Sequence, residues 1–204
     1  MPPQKQRTPQ LRHHLLDVAV DLLGREGPSA FTTRRLAREA GTSTPAVYEL
    51  FGDKRGLLRE VYFEGFRALG DQLRDVPATT DPLADLRSLA RRYRTFLCEH
   101  PELADVMFSR PFTVFDPGPS ELRTTASVRE LIVARVRRCM DAGSLVGDET
   151  DIAHVLVALV QGMAGAENAR RLGTTSTSIE RRWSLALEAT LSGLGPRPGD
   201  PRSG

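Results

Sequence analysis

Two cysteines among 204 residues, Cys98 and Cys139, are too few for a disulfide framework, and they do not stand at metal-ligand spacing. Histidine is as sparse. His13, His14, His100 and His154 include no i, i+4 pair, so neither a metal effector nor a cofactor is expected. Only Lys5 and Lys54 are lysines; every other strong cation is arginine. Long apolar runs are missing too. The longest stretch free of Asp, Glu, Lys and Arg around an apolar centre is residues 152–166, short of the roughly 20 residues a membrane span needs. The first residues, Met1-Pro2-Pro3-Gln4-Lys5-Gln6-Arg7, lead into His13-His14 without the apolar core of a signal peptide. These absences predict a cytoplasmic protein with reduced thiols and no membrane association. Lys plus Arg is 28 and Asp plus Glu is 26, so the chain is neither a polycation nor an acidic disordered tract. No segment shows the sustained alternation of a β-strand, and there are no internal repeats.

Hydrophobic residues at 40% and charged residues at 26% are ordinary for a globular protein. The length fits one compact domain, or a small module fused to a larger one. Charge is unevenly spread. Residues 1–55 hold nine Lys/Arg against six Asp/Glu, while the other 149 residues hold 19 against 20. The punctuation reads helix after helix. Leu11, Leu15, Val18, Ala19, Leu22 and Leu23 recur at helical spacing until Gly24 and Gly27-Pro28. Thr32-Thr33 can cap a short helix through Ala40, with Leu36, Ala37 and Ala40 on one face. Gly41 suits a left-handed exit. Ser43 or Thr44 can cap the next helix, and Pro45 is tolerated in its first turn. That helix ends near Leu50–Phe51. Gly52-Asp53 opens a longer one with Leu57, Leu58, Val61, Tyr62, Phe66, Leu69 and Leu73 as its apolar face. Further helices are predicted over about 83–99, 102–109, 121–142, 150–172 and 179–193, with a Pro/Gly loop over 109–120. The fold class is all-α with about nine helices.

Residues 33–51 make a helix-turn-helix: a short helix, a Gly-centred turn and a second short helix. The second helix presents a small, polar face of Thr44, Pro45, Ala46, Tyr48 and Glu49. Val47 and Phe51 point the other way. A helix burying two apolar residues is poor core material, but it fits a major groove about 12 Å wide. The rival reading is a helical hairpin unconnected with DNA.

The stretch from Thr32 to Leu58, TTRRLAREAGTSTPAVYELFGDKRGLL, resembles the DNA-binding domain of TetR-family transcriptional regulators. Its Leu-Ala-x-x-Ala-Gly, Tyr-x-x-Phe and Lys-x-x-Leu-Leu elements fall in order and in register, and the likeness covers about 50 residues. The resemblance implies an N-terminal three-helix DNA-binding domain (9–55) behind a flexible arm (1–8). A helical effector-binding and dimerisation domain (56–194) and a disordered tail (195–204) would follow. It implies phosphate or guanine contacts from Thr33 and Arg34, and base-facing positions at Ser43, Thr44, Pro45 and Ala46 in the recognition helix. Arg34 is long enough to fork onto guanine O6 and N7. Pro45 and Ala46 can pack on thymine methyls. The Tyr48 hydroxyl suits a phosphate oxygen, and Lys54 with the N–H groups of its helix forms a phosphate clamp. Leu50 departs from the family, where this position is often His or another polar or aromatic residue; leucine cannot donate to phosphate. Glu49 is repelled by DNA unless it accepts from cytosine N4. Tyr48 packed on the first helix and Lys54 as a plain surface lysine are the bland alternatives. Arg35 and Arg38 read as solvated helix charges; Arg7 and Arg12 either track the minor groove or backbone from a flexible arm or belong to a disordered basic tail, the tail being favoured.

The remaining helices carry little family signature. The stretch from Arg92 to Pro111 is loosely similar to the C-terminal regions of many such regulators. Ala158, Gly162 and Ala166 form a row of small residues, with Gly165 and Ala169 beside it. Together with Leu185, Leu187, Leu191 and Leu194 they predict a four-helix dimer seam, the alternative being intrachain core. Phe66, Phe96, Met107, Phe108, Phe112, Met140 and Met163 are the candidate lining of an effector pocket, core again being the alternative. Few polar residues are interleaved, which favours an apolar or amphipathic effector. The expected function is a homodimeric, ligand-responsive transcriptional regulator, most often a repressor, released from a palindromic double-stranded DNA operator by a small molecule. An enzyme is disfavoured by the absence of G-x-S-x-G, a phosphate loop, H-E-x-x-H and clustered Cys/His. An architectural DNA binder without an effector is the third reading.

Overall fold

A computed structural model describes residues 9–108 and 119–196. The predicted arm (1–8), Phe112, most of the Pro/Gly loop and most of the tail lie outside the described residues. Among the described residues there are nine helices and no strand: α1 (Pro9–Ala30), α2 (Thr33–Glu39), α3 (Thr44–Phe51), α4 (Lys54–Arg74), α5 (Pro82–Glu99), α6 (Pro101–Phe108), α7 (Pro119–Asp141), α8 (Glu149–Asn168) and α9 (Ser176–Gly193). No helix among them is long and apolar enough to cross a membrane. They fall into two compact units. Unit 1 holds residues 9–68, 100–108 and 119–124; unit 2 holds 69–99 and 125–196. Unit 1 therefore extends well past the predicted boundary at residue 55, taking in most of α4 and all of α6.

In unit 1, α1 buries Leu15, Leu16, Ala19, Leu22 and Leu23. The helix runs through Gly24, where the sequence pattern predicts a stop, because one helical glycine costs only about 1 kcal/mol against this packing. The break comes at Gly27, whose φ of 73° and ψ of 170° leave the helical region. Both α1–α2 and α1–α6 are packed pairs. A close approach joins α4 to α6: a Cβ on buried Gly65 would lie 2.6 Å from the Met107 sulfur. The Phe66 ring lies between Tyr62, tilted at 4.9 Å, and Phe108, edge-on at 5.6 Å.

Unit 2 is built on α5 against α8, with α9 packed on α8. The core is the heptad-like row Leu86, Leu89, Tyr93, Phe96 and Leu97 of α5, meeting Ile152, Ala153, Leu156, Val160 and Ala164 of α8. Val128, Ile132, Val136 and Cys139 of α7 and Trp183, Leu187 and Leu191 of α9 complete it. Two polar clamps, one buried and one half-buried, cross between its helices. Asp85 is 4% exposed and accepts from Thr79 N at 2.8 Å, Thr79 Oγ1 at 2.7 Å and Arg138 Nη1 at 2.8 Å. The Thr79 hydroxyl bond, aided by Arg138, holds its carboxyl down at about 2. Glu167 accepts a bidentate pair from Arg94 (2.9 and 3.0 Å) and the Trp183 indole N–H at 2.6 Å. Burial alone would push the Glu167 carboxyl up, but these donors outweigh it and hold the carboxyl below its ordinary value. Arg94 also reaches Glu180 at 2.5 Å and lies over the Trp183 ring at 4.8 Å from its centroid.

Candidate nucleic-acid interface

Helices α2 and α3 are set by short-range capping. The Thr32 hydroxyl accepts from Arg35 N at 3.2 Å and starts α2. At the other end Gly41 takes φ 62°, which lets Gly41 N donate to Arg38 O and Thr42 N to Ala37 O at 2.8 Å. This glycine-centred stop turns the chain sharply. The Ser43 hydroxyl then accepts from Ala46 N at 3.3 Å, and Pro45 occupies the first turn of α3. Gly52, at φ 76°, ends α3, and the Asp53 carboxylate accepts from Gly56 N at 2.8 Å to open α4. A Cβ on Gly56 would lie 2.0 Å from the Phe51 carbonyl oxygen, so only glycine permits this junction.

The consequence is a recognition helix with a sharply divided surface. Val47 and Phe51 are buried at 1% and 7%. Pro45, Tyr48 and Glu49 are exposed, and Thr44 and Ala46 are half-buried. Tyr48 does not pack away on α1. It is 47% exposed, and its hydroxyl accepts from Thr33 Oγ1 at 3.2 Å. Two predicted DNA-facing hydroxyls, from different helices, are thus brought together. The Ser43 hydroxyl is engaged as the α3 cap, so its side chain serves first to hold the helix.

The cations of unit 1 divide into two sets. Arg12 pairs with Glu60 at 2.7 Å, Arg25 with Asp21 at 2.9 Å and Glu39 at 2.6 Å, and Arg35 with Glu26. Arg25 lowers the Glu39 carboxyl below its ordinary value. Among the described residues, exposed Arg34, Arg38, Lys54 and Arg55 have no carboxylate partner. Arg34 lies in the first turn of α2 and Lys54 is the first residue of α4, both predicted anchor positions. Unneutralised cations beside helix N-termini are what phosphate oxygens bind. One residue escaped the sequence reading. Arg12 belongs to α1 and not to a basic tail: it donates to Leu50 O at 3.1 Å and lies over the Phe51 ring. Its spacing to Leu15, Leu16 and Ala19 (i+3, i+4, i+7) is the signal that could have placed it on the packed face.

The other predicted residues are dispersed. Phe66, Met107 and Phe108 belong to unit 1, where Met107 is seated over Gly65 and the two rings meet edge to face. Phe96 is a fully buried core residue of unit 2, and Met140 and Met163 are half-buried there. None of them lines the apolar cleft of unit 2. That cleft, about 20 Å³, is bounded by Leu86, Leu89, Tyr93, Ile132, Leu156 and Val160. The Tyr93 hydroxyl accepts from Gln161 at 2.9 Å, and burial pushes it up to about 12. Ala158 and Gly162 are exposed, as are Gly165 and Ala169, and Ala166 is half-buried. Leu187 and Leu191 turn inward instead, at 6% and 3% exposure, because Trp183, Leu187 and Leu191 are the face α9 lays on its own unit. The outward apolar residue of α9 is Leu185, at 69%. No group of three or more His, Cys, Asp or Glu is gathered for a metal among the described residues.

Comparison with known sequences matches this geometry. A sequence model of bacterial regulatory proteins of the tetR family matches residues 15–61, spanning α1 to the first turns of α4. A second, for tetracyclin repressor-like C-terminal domains, matches residues 86–190, half of the chain. The chain belongs to the TetR family. Its likeness to the HTH-type transcriptional regulator AcrR of Shigella flexneri is 32% identity over 87 residues, 42% of this chain and 40% of that protein. The chain thus matches well under two thirds of that relative's length. A solved structure of a protein of unknown function from Rhodococcus sp. RHA1 superposes with a TM-score of 0.80 at 26% identity, covering 96% of this chain and all of that one. A bacterial regulatory protein of the tetR family from Rhodococcus RHA1 superposes at 0.69 with 18% identity, covering 94% of this chain and all of that one. TetR membership makes the chain a DNA-binding transcriptional regulator, and its α2–α3 pair the helix-turn-helix.

Proposed function

We propose that the protein is a homodimeric repressor that binds a palindromic operator and leaves it when a small apolar or amphipathic molecule binds. The observation that carries the DNA half of this reading is the exposed, capped α3 beside the unpaired cations Arg34 and Lys54. Thr33 and Tyr48 would share one phosphate, Lys54 another, and Thr44, Pro45 and Ala46 would face base edges. Dimerisation follows from the outward row on α8. A Cβ at Gly162 or Gly165 meets nothing within 4 Å in the single chain, so both positions are open to a second copy. Val155, 48% exposed, and Leu185 of α9 extend that face, replacing the inward-turned Leu187 and Leu191. Two such copies would set their recognition helices in successive major grooves, about 34–36 Å apart.

Effector release is a population shift: a ligand favouring a conformer with mismatched recognition helices lowers operator affinity. The apolar lining of the unit 2 cleft favours an apolar or amphipathic ligand, and the cleft must widen to admit it. The test is selection of bound duplexes from a random library by the purified protein, followed by a screen for compounds that release the selected duplex. A two-fold symmetric sequence is the expected result; an asymmetric site or none rejects the reading. Gly162→Leu fills open space and should convert the dimer to monomer in sedimentation; an unchanged dimer moves the seam elsewhere.

A further inference from the structure

The C-terminal turn of α3 is held from outside the helix. Four carbonyls at a helix end lack intrahelical partners. Here Tyr48 O takes the Gly52 N–H at 2.7 Å and Phe51 O takes the Asp53 N–H at 3.0 Å, both within the local turn. Leu50 O takes its hydrogen bond from Arg12 on α1, 38 residues away. The same guanidinium lies 5.0 Å from the Phe51 ring centroid and pairs with Glu60 of α4 at 2.7 Å. One side chain therefore ties α1, the last turn of α3 and the second turn of α4. A cation at a helix C-terminus also opposes the negative end of the helix dipole. The helix so held has eight residues and buries only Val47 and Phe51, so its own packing constrains its tilt weakly.

We propose that Arg12 is a positioning residue for operator recognition: it sets the angle at which α3 meets the groove and touches no DNA itself. Two facts separate it from the anchoring cations. Its charge is matched by Glu60, and both of its terminal nitrogens are engaged, one by Leu50 O and one by that carboxylate, whereas Arg34 and Lys54 have no carboxylate partner. The assignment rests on the DNA-reading conclusion above, and it makes a different prediction from a phosphate contact. Losing a phosphate contact weakens binding to every sequence and lowers the salt slope by about one. Losing a positioning residue weakens binding only where geometry matters, at the selected sequence.

The test uses the full chain with Arg12→Met, which keeps the apolar stem and removes the donors, and with Arg12→Lys. Affinity is measured over a salt series for two probes: the duplex selected by the wild type, and a scrambled duplex of the same length and composition. Arg12→Met should lose about tenfold on the selected duplex, the scale of one charge-assisted hydrogen bond. It should change less than about twofold on the scrambled one, with both salt slopes kept. Arg12→Lys, which can donate to one partner at a time, should recover part of the loss. Equal losses on both duplexes with a shallower slope would make Arg12 a phosphate contact and overturn the proposal. Unchanged affinity for the selected duplex would overturn it as well. If Arg12→Met loses its helical signal, Glu60→Gln takes its place, with a loss of about threefold on the selected duplex alone expected and no loss contradicting it. A wild type that selects no duplex overturns the DNA-reading conclusion and this assignment together; a wild type that selects one while Arg12→Met binds it unchanged overturns this assignment alone.

Discussion

The caps of the helix-turn-helix and the clamps of unit 2 work over different distances along the chain. In the helix-turn-helix, Thr32, Ser43 and Asp53 each cap a backbone N–H three residues on. In unit 2, Asp85 is held by Arg138, 53 residues later, and Glu167 by Arg94, 73 residues earlier. Local capping fixes helix ends without drawing on Arg34 or Lys54. Arg34 and Lys54 stay available for an outside anion. Long-range clamping does the reverse: it draws cations and carboxylates inward and ties α5 to α7, α8 and α9. The helix-turn-helix presents charge at Arg34 and Lys54, while the clamps of unit 2 neutralise theirs.

The largest expected effect lies in the long-range clamps. Glu167→Ala removes the carboxylate shared by Arg94 and Trp183 and leaves a half-buried guanidinium tied only to Glu180. It should destabilise the chain by about 3 kcal/mol in denaturant unfolding. Trp183 is the only tryptophan, so its emission reports this clamp directly. A loss under about 1 kcal/mol would remove the contrast between the units. Ser43→Ala tests the local side. It should cost about 1 kcal/mol, the worth of one N-cap, with operator affinity falling because α3 frays at its reading end. Asp85 gives the effect that depends on pH. Its carboxyl sits at about 2 in the folded chain against an ordinary 3.8. The folded value is the lower one, so this stabilisation is complete above 3.8 and fades as pH falls through about 2. The difference in stability between wild type and Asp85→Asn should therefore shrink over that window. A constant difference would mean that Asp85 acts through shape alone.

What the sequence made legible follows the same division. The caps Thr32 and Ser43, the turn at Gly41 and the buried pair Val47 and Phe51 are all local patterns, and each was readable. The helix pattern over 83–99 became Pro82–Glu99 for the same reason. Periodicity shows that a helix has an apolar face, but not what covers that face. Leu187 and Leu191 therefore read as a dimer seam and are core, and Phe96 read as pocket lining and is core. The α8 pattern through 172 ends at Asn168, because Ala169 and Arg170 turn out of the helix with Arg170 at φ 56°. The Asp85–Arg138 and Arg94–Glu167 clamps left no local trace. Arg12 was hidden similarly, since its partners Leu50 and Glu60 are far along the chain.

The central claim is that unpaired cations around the helix-turn-helix hold the DNA backbone while paired ones do not. The most direct measurement is the salt dependence of binding to the selected duplex for wild type, Lys54→Ala and Arg25→Ala. Lys54→Ala should bind about tenfold more weakly with a slope reduced by about one. Arg25→Ala, whose charge is already matched by Asp21 and Glu39, should keep both affinity and slope. Equal slopes in all three proteins, or a greater loss from Arg25→Ala than from Lys54→Ala, would contradict the account.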